Sequence, residues 1–496
     1  MISSGAALAI IGLSSIVFML VGIVHAKRTS TSVLDFISAN NTIGTTIGTT
    51  TLLATVMGTW ILFSPAETAT FGGLISILGY SIGSAAPMIA FIWIGTRLRK
   101  LMPDGASITQ YVWHRYGQAM YWFTILVMVF YMFVFLAAEL TAIALVANLI
   151  AGVPLAATAI ILGIATVAYT AYGGFRSTIF TDSIQFLFIV PILLITLIIA
   201  ITKLGGLDRI IDQLNQNAPD LLSPTYQLGW ETGIALIIAI LAANLFHQGY
   251  WQRAYACRNE ATLRKAFTLS AILAIPIVFI GGVFGLMAVA IDGVPSPPST
   301  ALFAVVLGSL PTWSIVLLLI LAVALVMSSV DSLLNGLVSS FTTDMHRARK
   351  DLSIARLMWW ARIATVGIAT VAVVIAMQGY SVLYLFLIAD LVASAVVIPV
   401  FLGLYIKRYT GSMAVTSALI SLIAGAIFFP TPAFEGWLNI PKAGSLMVSF
   451  MVAFFGSGIV SALLLSLPLN KNNPFNKSGQ QYDFSQLKKL VKPIGD

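Results

Sequence analysis

The chain has 496 residues, 59% of them hydrophobic and only 9% charged, with a formal net charge of +8. A soluble domain carries about 25% charged residues, so this chain cannot cover itself with polar surface in water, and lipid must be its solvent. A single cysteine, Cys257, excludes an internal disulfide and a zinc cluster, and four scattered histidines offer no metal site by spacing.

A helix needs about 20 apolar residues to cross a bilayer core of about 30 Å. That window predicts thirteen spans, near 5–26, 46–70, 73–96, 119–150, 154–172, 180–202, 229–250, 265–291, 313–343, 357–377, 379–406, 411–429 and 444–468. The first apolar run, Ala6 to Ala26, has no basic stretch before it and Lys27-Arg28 after it. It reads as a retained span rather than a cleaved signal. The second and ninth spans are long for a straight crossing, so tilt or a break is expected in each. Long loops are expected at 203–228 and 292–312, the latter stiffened by Pro295, Pro297 and Pro298. Residues 1–470 read as one transmembrane domain, and 471–496 as a short polar tail lying at or near the membrane surface. With the N-terminus outside, 23 of the 26 Lys and Arg fall on inner segments; only Lys203, Arg209 and Lys442 fall outside. The positive-inside rule therefore orients the chain with its C-terminus in the cytoplasm. It also explains the basic charge without a nucleic-acid partner.

An ionisable side chain at membrane depth is costly and is a candidate functional residue by default. Six qualify: Glu67, Glu139, Asp182, His247, Asp331 and Asp390. Each is otherwise a helix-end residue or a structural partner between helices. The second span, Thr49 to Glu67, is crowded with small and β-branched residues, with Gly58 and Pro65 among them. All lower helix propensity, and Pro65 should free a carbonyl near Ile61. A broken helix in lipid needs its freed carbonyls to face protein or a cavity, where they make good ligands for an alkali cation. The alternative is a kinked helix with no ligand. In the ninth span, Ser328, Asp331 and Ser332 share one face, with Ser329 beside them. These are oxygen ligands, as a hard cation requires, although a serine hydroxyl can instead bond back to the carbonyl a turn earlier.

These residues resemble the sodium:solute symporter family, from the second span to the twelfth. Four local matches carry the resemblance: Tyr169-Thr170-Ala171-Tyr172-Gly173-Gly174-Phe175-Arg176-Ser177, continuing to Thr181-Asp182-Ser183-Ile184-Gln185; Met327-Ser328-Ser329; Gln248 to Arg253; and the broken second span. A further family pattern, around Lys407 to Gly425, matches only in part, with Met413 where a glycine is usual. The resemblance implies an all-α transmembrane fold of thirteen helices. Its core would be two inverted five-helix repeats, about 46–202 and 229–406, with one helix before and two after. It implies a sodium site formed by the carbonyls of Ala54, Met57 and Leu325 with the hydroxyls of Ser328 and Ser329. It also implies a second cation or proton site at Asp182, Asp331 and Ser332, where Asp331 replaces a usual serine.

The run Met57 to Glu67 is most similar to the urea-transporter branch. Trp60 would then stack on a small planar solute, with Asn244, His247 and Gln248 supplying hydrogen bonds, and Tyr250 and Trp251 gating the inner exit. The implied activity is sodium-coupled symport of a small neutral solute by alternating access in a plasma (inner) membrane, urea favoured. Proline, another small amino acid or a short carboxylate are the alternatives. A solute sensor would need an output domain longer than the tail, a channel would not saturate with sodium, and an enzyme would need a nucleophile–base pair that is not visible.

Overall fold

The computed structural model describes residues 2–29, 39–105, 107–348, 354–467 and 482–490. Helix α1 (Ser4–Thr29) is followed by α2 (Thr45–Val56), a 3-10 turn (Thr59–Leu62) and α3 (Ser64–Leu101). A short α4 (Ile108–Tyr116) leads into α5 (Gln118–Ala151) and α6 (Leu155–Lys203). After α7 (Leu207–Asn217) come α8 (Gln227–Asn244), α9 (Gln248–Ala256) and α10 (Glu260–Asp292). The remainder is α11 (Ala301–Ser309), α12 (Thr312–Ala348), α13 (Ile354–Ala376), α14 (Val382–Leu402), α15 (Gly411–Phe428), α16 (Leu446–Ser466) and α17 (Ser485–Leu490). The described residues contain no β-strand. Helices dominate because each closes its backbone hydrogen bonds within itself, which lipid requires.

Ten described helices are long and apolar enough to cross a membrane, judged by length and composition. The expected fifth and sixth spans appear as one uninterrupted helix, α6, with Phe175–Lys203 as its long apolar part and Leu155–Ala165 as a shorter one. The expected gap between these spans, over 173–179, does not open, since a helical glycine costs only about 1 kcal/mol and an unbroken ladder keeps the backbone groups bonded. The side chains of Tyr169–Gly174 lie outside those described, as do residues 471–481 and 491–496 of the tail. The visible tail docks inward: Tyr482 N–H donates to the Lys407 carbonyl (3.2 Å), and the Arg115 guanidinium lies 4.7 Å over the Tyr482 ring.

Two expected spans are interrupted. The second breaks between α2 and α3. The seventh, expected as one run over 229–250, is α8 and α9 with the break at Leu245–His247. Small residues hold the interrupted segments close to their neighbours. A methyl at Gly285 of α10 would strike the Ala66 carbonyl, and one at Gly79 of α3 would strike the backbone of Gly233 in α8. Such contacts let helix backbones approach where no water drives them together. Gly73, at φ +62°, turns the chain inside α3, and the Leu221 backbone occupies the space a side chain would need.

Candidate functional site

The break in the second span lies earlier than Pro65. Gly58 N–H turns back to the Val56 carbonyl (3.1 Å), and Ile61 N–H bonds Gly58 (3.1 Å). Thr59 N–H donates to Glu139 Oε2 at 2.7 Å, and Trp60 N–H to Oε1 at 3.4 Å. The carbonyls of Ala54, Thr55 and Met57 therefore lose their usual donors four residues on. Glu139 reaches across from α5 and caps the 3-10 turn. A side chain at Gly58 would collide with its carboxylate, so only glycine fits. Pro65 sits in the first turn of α3, where a missing N–H costs nothing. The interruption is thus made by a buried acid on another helix and a glycine.

Two hydroxyl contacts lay this break along α12. Thr55 Oγ1 meets Ser332 Oγ at 3.2 Å, and Thr59 Oγ1 donates to the Ala322 carbonyl at 3.2 Å. Leu325, Ser328 and Ser329 fall between those two anchors on α12, as Met57 does on the broken segment. Ser328 Oγ donates to the Leu325 carbonyl (2.9 Å), which leaves its lone pairs open. Ser329 Oγ is fully buried and has no hydrogen-bond partner among the described residues. An orphaned buried hydroxyl costs about 1–3 kcal/mol, and a hard cation would satisfy it.

One turn further along α12 the arrangement differs. Asp182 Oδ2 accepts from Arg253 Nη2 (2.6 Å) and from Thr51 Oγ1 (2.6 Å). The same Arg253 nitrogen donates to Ser332 Oγ (2.8 Å), and its Nε donates to Thr51 Oγ1 (3.1 Å). Both charges are buried. Ser332 Oγ also donates to Asp331 Oδ1 at 3.3 Å. The three residues of the expected second cation site do gather here, with the Arg253 guanidinium on Asp182 and Ser332, and Asp331 joined through Ser332. Asp182 Oδ1 is left without a partner among the described residues.

Beside the break lies a small cavity of about 40 Å³. Trp60 stacks on Tyr80 (5.5 Å, 15°) and meets the edge of Phe386 (6.3 Å); Phe135 meets Phe386 at 4.9 Å. Tyr131 Oη donates to Asn244 Oδ1 (3.2 Å), and Ser84, Val56, Ile240 and Asp390 complete the wall. Asp390 is 5% exposed, and its carboxylate has no hydrogen bond or ion pair among the described residues.

Of the expected solute ligands, Trp60 and Asn244 line this cavity, whereas His247 and Gln248 do not. His247 is polar for a local reason: its Nδ1 accepts Gly249 N–H (3.0 Å) and caps α9. Its ring stands edge-on to Phe135 (5.5 Å), one layer behind the wall. Gln248 packs against Gly336 of α12. Tyr250 and Trp251 are buried in an aromatic plug, with Phe91 at 5.3 Å and 4.6 Å and Phe401 6.2 Å from Trp251. Glu67 receives Ser381 Oγ, 3.2 Å from each carboxylate oxygen. The sequence reading missed Tyr80, Ser84, Tyr131, Phe135 and Phe386 in the wall, because an aromatic in an apolar helix carries no local signal of what it faces.

The family model described as sodium:solute symporter family matches residues 36–425. A spermidine transporter of Candida albicans is 29% identical over 398 residues, covering 80% of this chain and 74% of that protein. A urea active transporter of Saccharomyces cerevisiae is 23% identical over 440 residues, covering 81% of this chain and 58% of that protein. The fold matches that of a sodium-coupled sialic acid symporter solved in a substrate-bound outward-open state, with a TM-score of 0.73 at 19% identity, covering 93% of this chain and 98% of that one.

Proposed function

This chain belongs to the sodium:solute symporter family, and from that premise we propose that it couples sodium entry to the uptake of a small solute held in the cavity beside Trp60. The observation that carries the reading is the unpartnered, fully buried Ser329 hydroxyl, between the two α12 contacts of a helix break whose Ala54 and Met57 carbonyls have lost their donors. Sodium is the transported co-substrate. It is ligated by Ala54, Met57, Leu325, Ser328 and Ser329, and it draws the broken segment against α12. That segment also supplies Trp60 to the cavity, so ion and solute share one structural element. Alternating access then exposes both to the cytoplasm, with the N-terminus outside and Tyr250 and Trp251 closing the inner exit. The pair of interrupted helices, one opening each of the two expected repeats, supports a rocking mechanism. One charge crossing 100 mV contributes about 2.3 kcal/mol, enough for a roughly fiftyfold gradient of neutral solute.

Urea is one candidate, supported by the aromatic face of Trp60, the amide of Asn244, the small cavity and the name of the yeast relative. The Candida relative is named for a polyamine, so the relatives' names divide between a neutral and a cationic solute. The test is uptake of radiolabelled urea and spermidine into proteoliposomes under an inward sodium gradient, beside Ser329→Ala. Saturable uptake that needs sodium, with about tenfold more sodium needed in Ser329→Ala, is the expected result. Equal uptake with potassium replacing sodium would overturn the coupling.

A further inference from the structure

Resting on that symport reading, we propose that the solute is an organic ammonium ion, with Asp390 as its counter-charge and the rings of Trp60, Tyr80, Tyr131 and Phe386 as its cage. Three observations carry this. The first is the unpaired carboxylate. Asp390 on α14 is almost wholly buried, faces the cavity and has no partner among the described residues. A buried carboxylate without a partner is strongly disfavoured, and an arriving ammonium supplies the missing charge. No Lys or Arg is among the residues lining the cavity.

The second observation is the balance of hydrogen-bonding groups. Four of the wall's donors are engaged within the protein: Trp60 Nε1 with the Val56 carbonyl (3.0 Å), Ser84 Oγ with the Tyr80 carbonyl (3.0 Å), Tyr131 Oη with Asn244 Oδ1 (3.2 Å) and one Asn244 Nδ2 hydrogen with the Ile240 carbonyl (2.9 Å), leaving the Tyr80 hydroxyl and the second Asn244 amide hydrogen. What remains is mainly acceptor capacity, on Asp390, Asn244 Oδ1 and Ser84 Oγ. A urea carbonyl finds few donors there, whereas an ammonium group brings its own. The third is the ring geometry. Trp60 and Tyr80 stack on each other, Phe386 stands across Trp60, and with Tyr131 and Phe135 these rings line the cavity; a ring face open to it would attract a desolvated ammonium. A cavity of about 40 Å³ admits such a head group.

The test uses the purified full chain in lipid nanodiscs with sodium. Titration calorimetry is run with choline and n-butylammonium as probes, and with urea and n-butanol as neutral controls. At least one ammonium probe is expected to bind. Asp390→Asn, which keeps the shape and removes the charge, should weaken it by about thirtyfold or more. Sodium should still raise the unfolding temperature of that variant, which verifies its fold. If the variant does not fold, Phe386→Leu serves instead and should weaken the ammonium probe while leaving the neutral controls unmoved. Urea binding that is indifferent to Asp390→Asn would overturn the proposal. So would no binding of either ammonium probe at millimolar concentration while sodium still stabilises the protein. Asp390-dependent ammonium binding with no sodium dependence would uphold the cage and reject the symport reading instead.

Discussion

Helix α12 carries two oxygen-rich clusters about one turn apart, and they have been completed in opposite ways. Ser328 and Ser329 lie between the two hydroxyl contacts that lay the broken segment along α12, and the Ser329 hydroxyl has no partner among the described residues. At Ser332 the facing group is Asp182, and the chain fills the space between them with Arg253. Both clusters use the same broken segment, through Ala54 and Met57 in one case and Thr51 and Thr55 in the other. The difference teaches that a set of oxygen ligands does not by itself specify an ion site. What decides is whether the fold delivers a covalent cation to it. We therefore assign one transported sodium to the upper cluster and treat the lower one as a tether among α2, α6, α9 and α12.

The comparison breaks most severely at Asp182. Asp182→Leu leaves the Arg253 guanidinium buried and uncompensated, which should destabilise the protein by about 3–5 kcal/mol, read as a lower unfolding temperature in nanodiscs. The double variant Asp182→Leu with Arg253→Met should recover most of that loss, since well-packed apolar replacements of a buried pair are often neutral. The mirror variant, Arg253→Gln, converts the lower cluster into a vacant oxygen site. It should be unstable in potassium, regain stability in sodium, and give sodium activation steeper than the wild type. A variant equally stable in both salts would show that the lower cluster has no affinity for a free cation.

The upper cluster is broken more gently. Ser329→Ala removes one neutral ligand and should raise the sodium concentration for half-maximal stabilisation about tenfold, equivalent to about 1.4 kcal/mol. Stability in the absence of sodium should stay equal or improve, because the substitution deletes an orphaned buried hydroxyl. Unchanged sodium dependence would move the ion elsewhere.

How much of this could be read from residues alone follows from the range of the forces involved. Lipid makes helix formation nearly obligatory, so hydropathy located the long helices, whereas α7 and α11 lie in stretches expected as long loops and the short α4 and α17 were not expected at all. The Ser328-Ser329 and Asp331-Ser332 groups were visible because helical spacing puts them on one face. Arg253 was visible only as a basic residue near a helix end, since its distance to Asp182 is a tertiary fact spanning 71 positions. The break was expected for the right segment and the wrong residue: Pro65 is the local signal, whereas the interruption depends on Glu139, 80 positions away from Thr59. His247 misled in the reverse sense. A polar residue in an apolar run suggested a solute ligand; in the fold its Nδ1 caps its own half-helix, it does not line the cavity, and its Nε2 is buried without a partner among the described residues. Asp390 stood out as an intramembrane acid, yet the aromatic rings that give it meaning come from three other segments.

The smallest expected effect concerns Glu139, and it separates two roles that burial alone would not. Glu139→Gln keeps an acceptor oxygen for Thr59 N–H but removes the charge facing the start of the 3-10 turn. Charge–helix-end interactions contribute about 0.3–1 kcal/mol at exposed sites and up to about 2 kcal/mol when partly buried, so the unfolding temperature should fall only slightly. The informative reading is sodium affinity. If Glu139 acts by capturing the N–H groups that would otherwise close the helix over Thr55 and Val56, weakening that capture lets the helix partly reform across the break. The Ala54 and Met57 carbonyls are then less available, and sodium binding should weaken by a few-fold while the affinity for an ammonium probe at saturating sodium stays the same. If Glu139 instead served the solute directly, the pattern would invert, with probe affinity falling at saturating sodium and the sodium response unchanged.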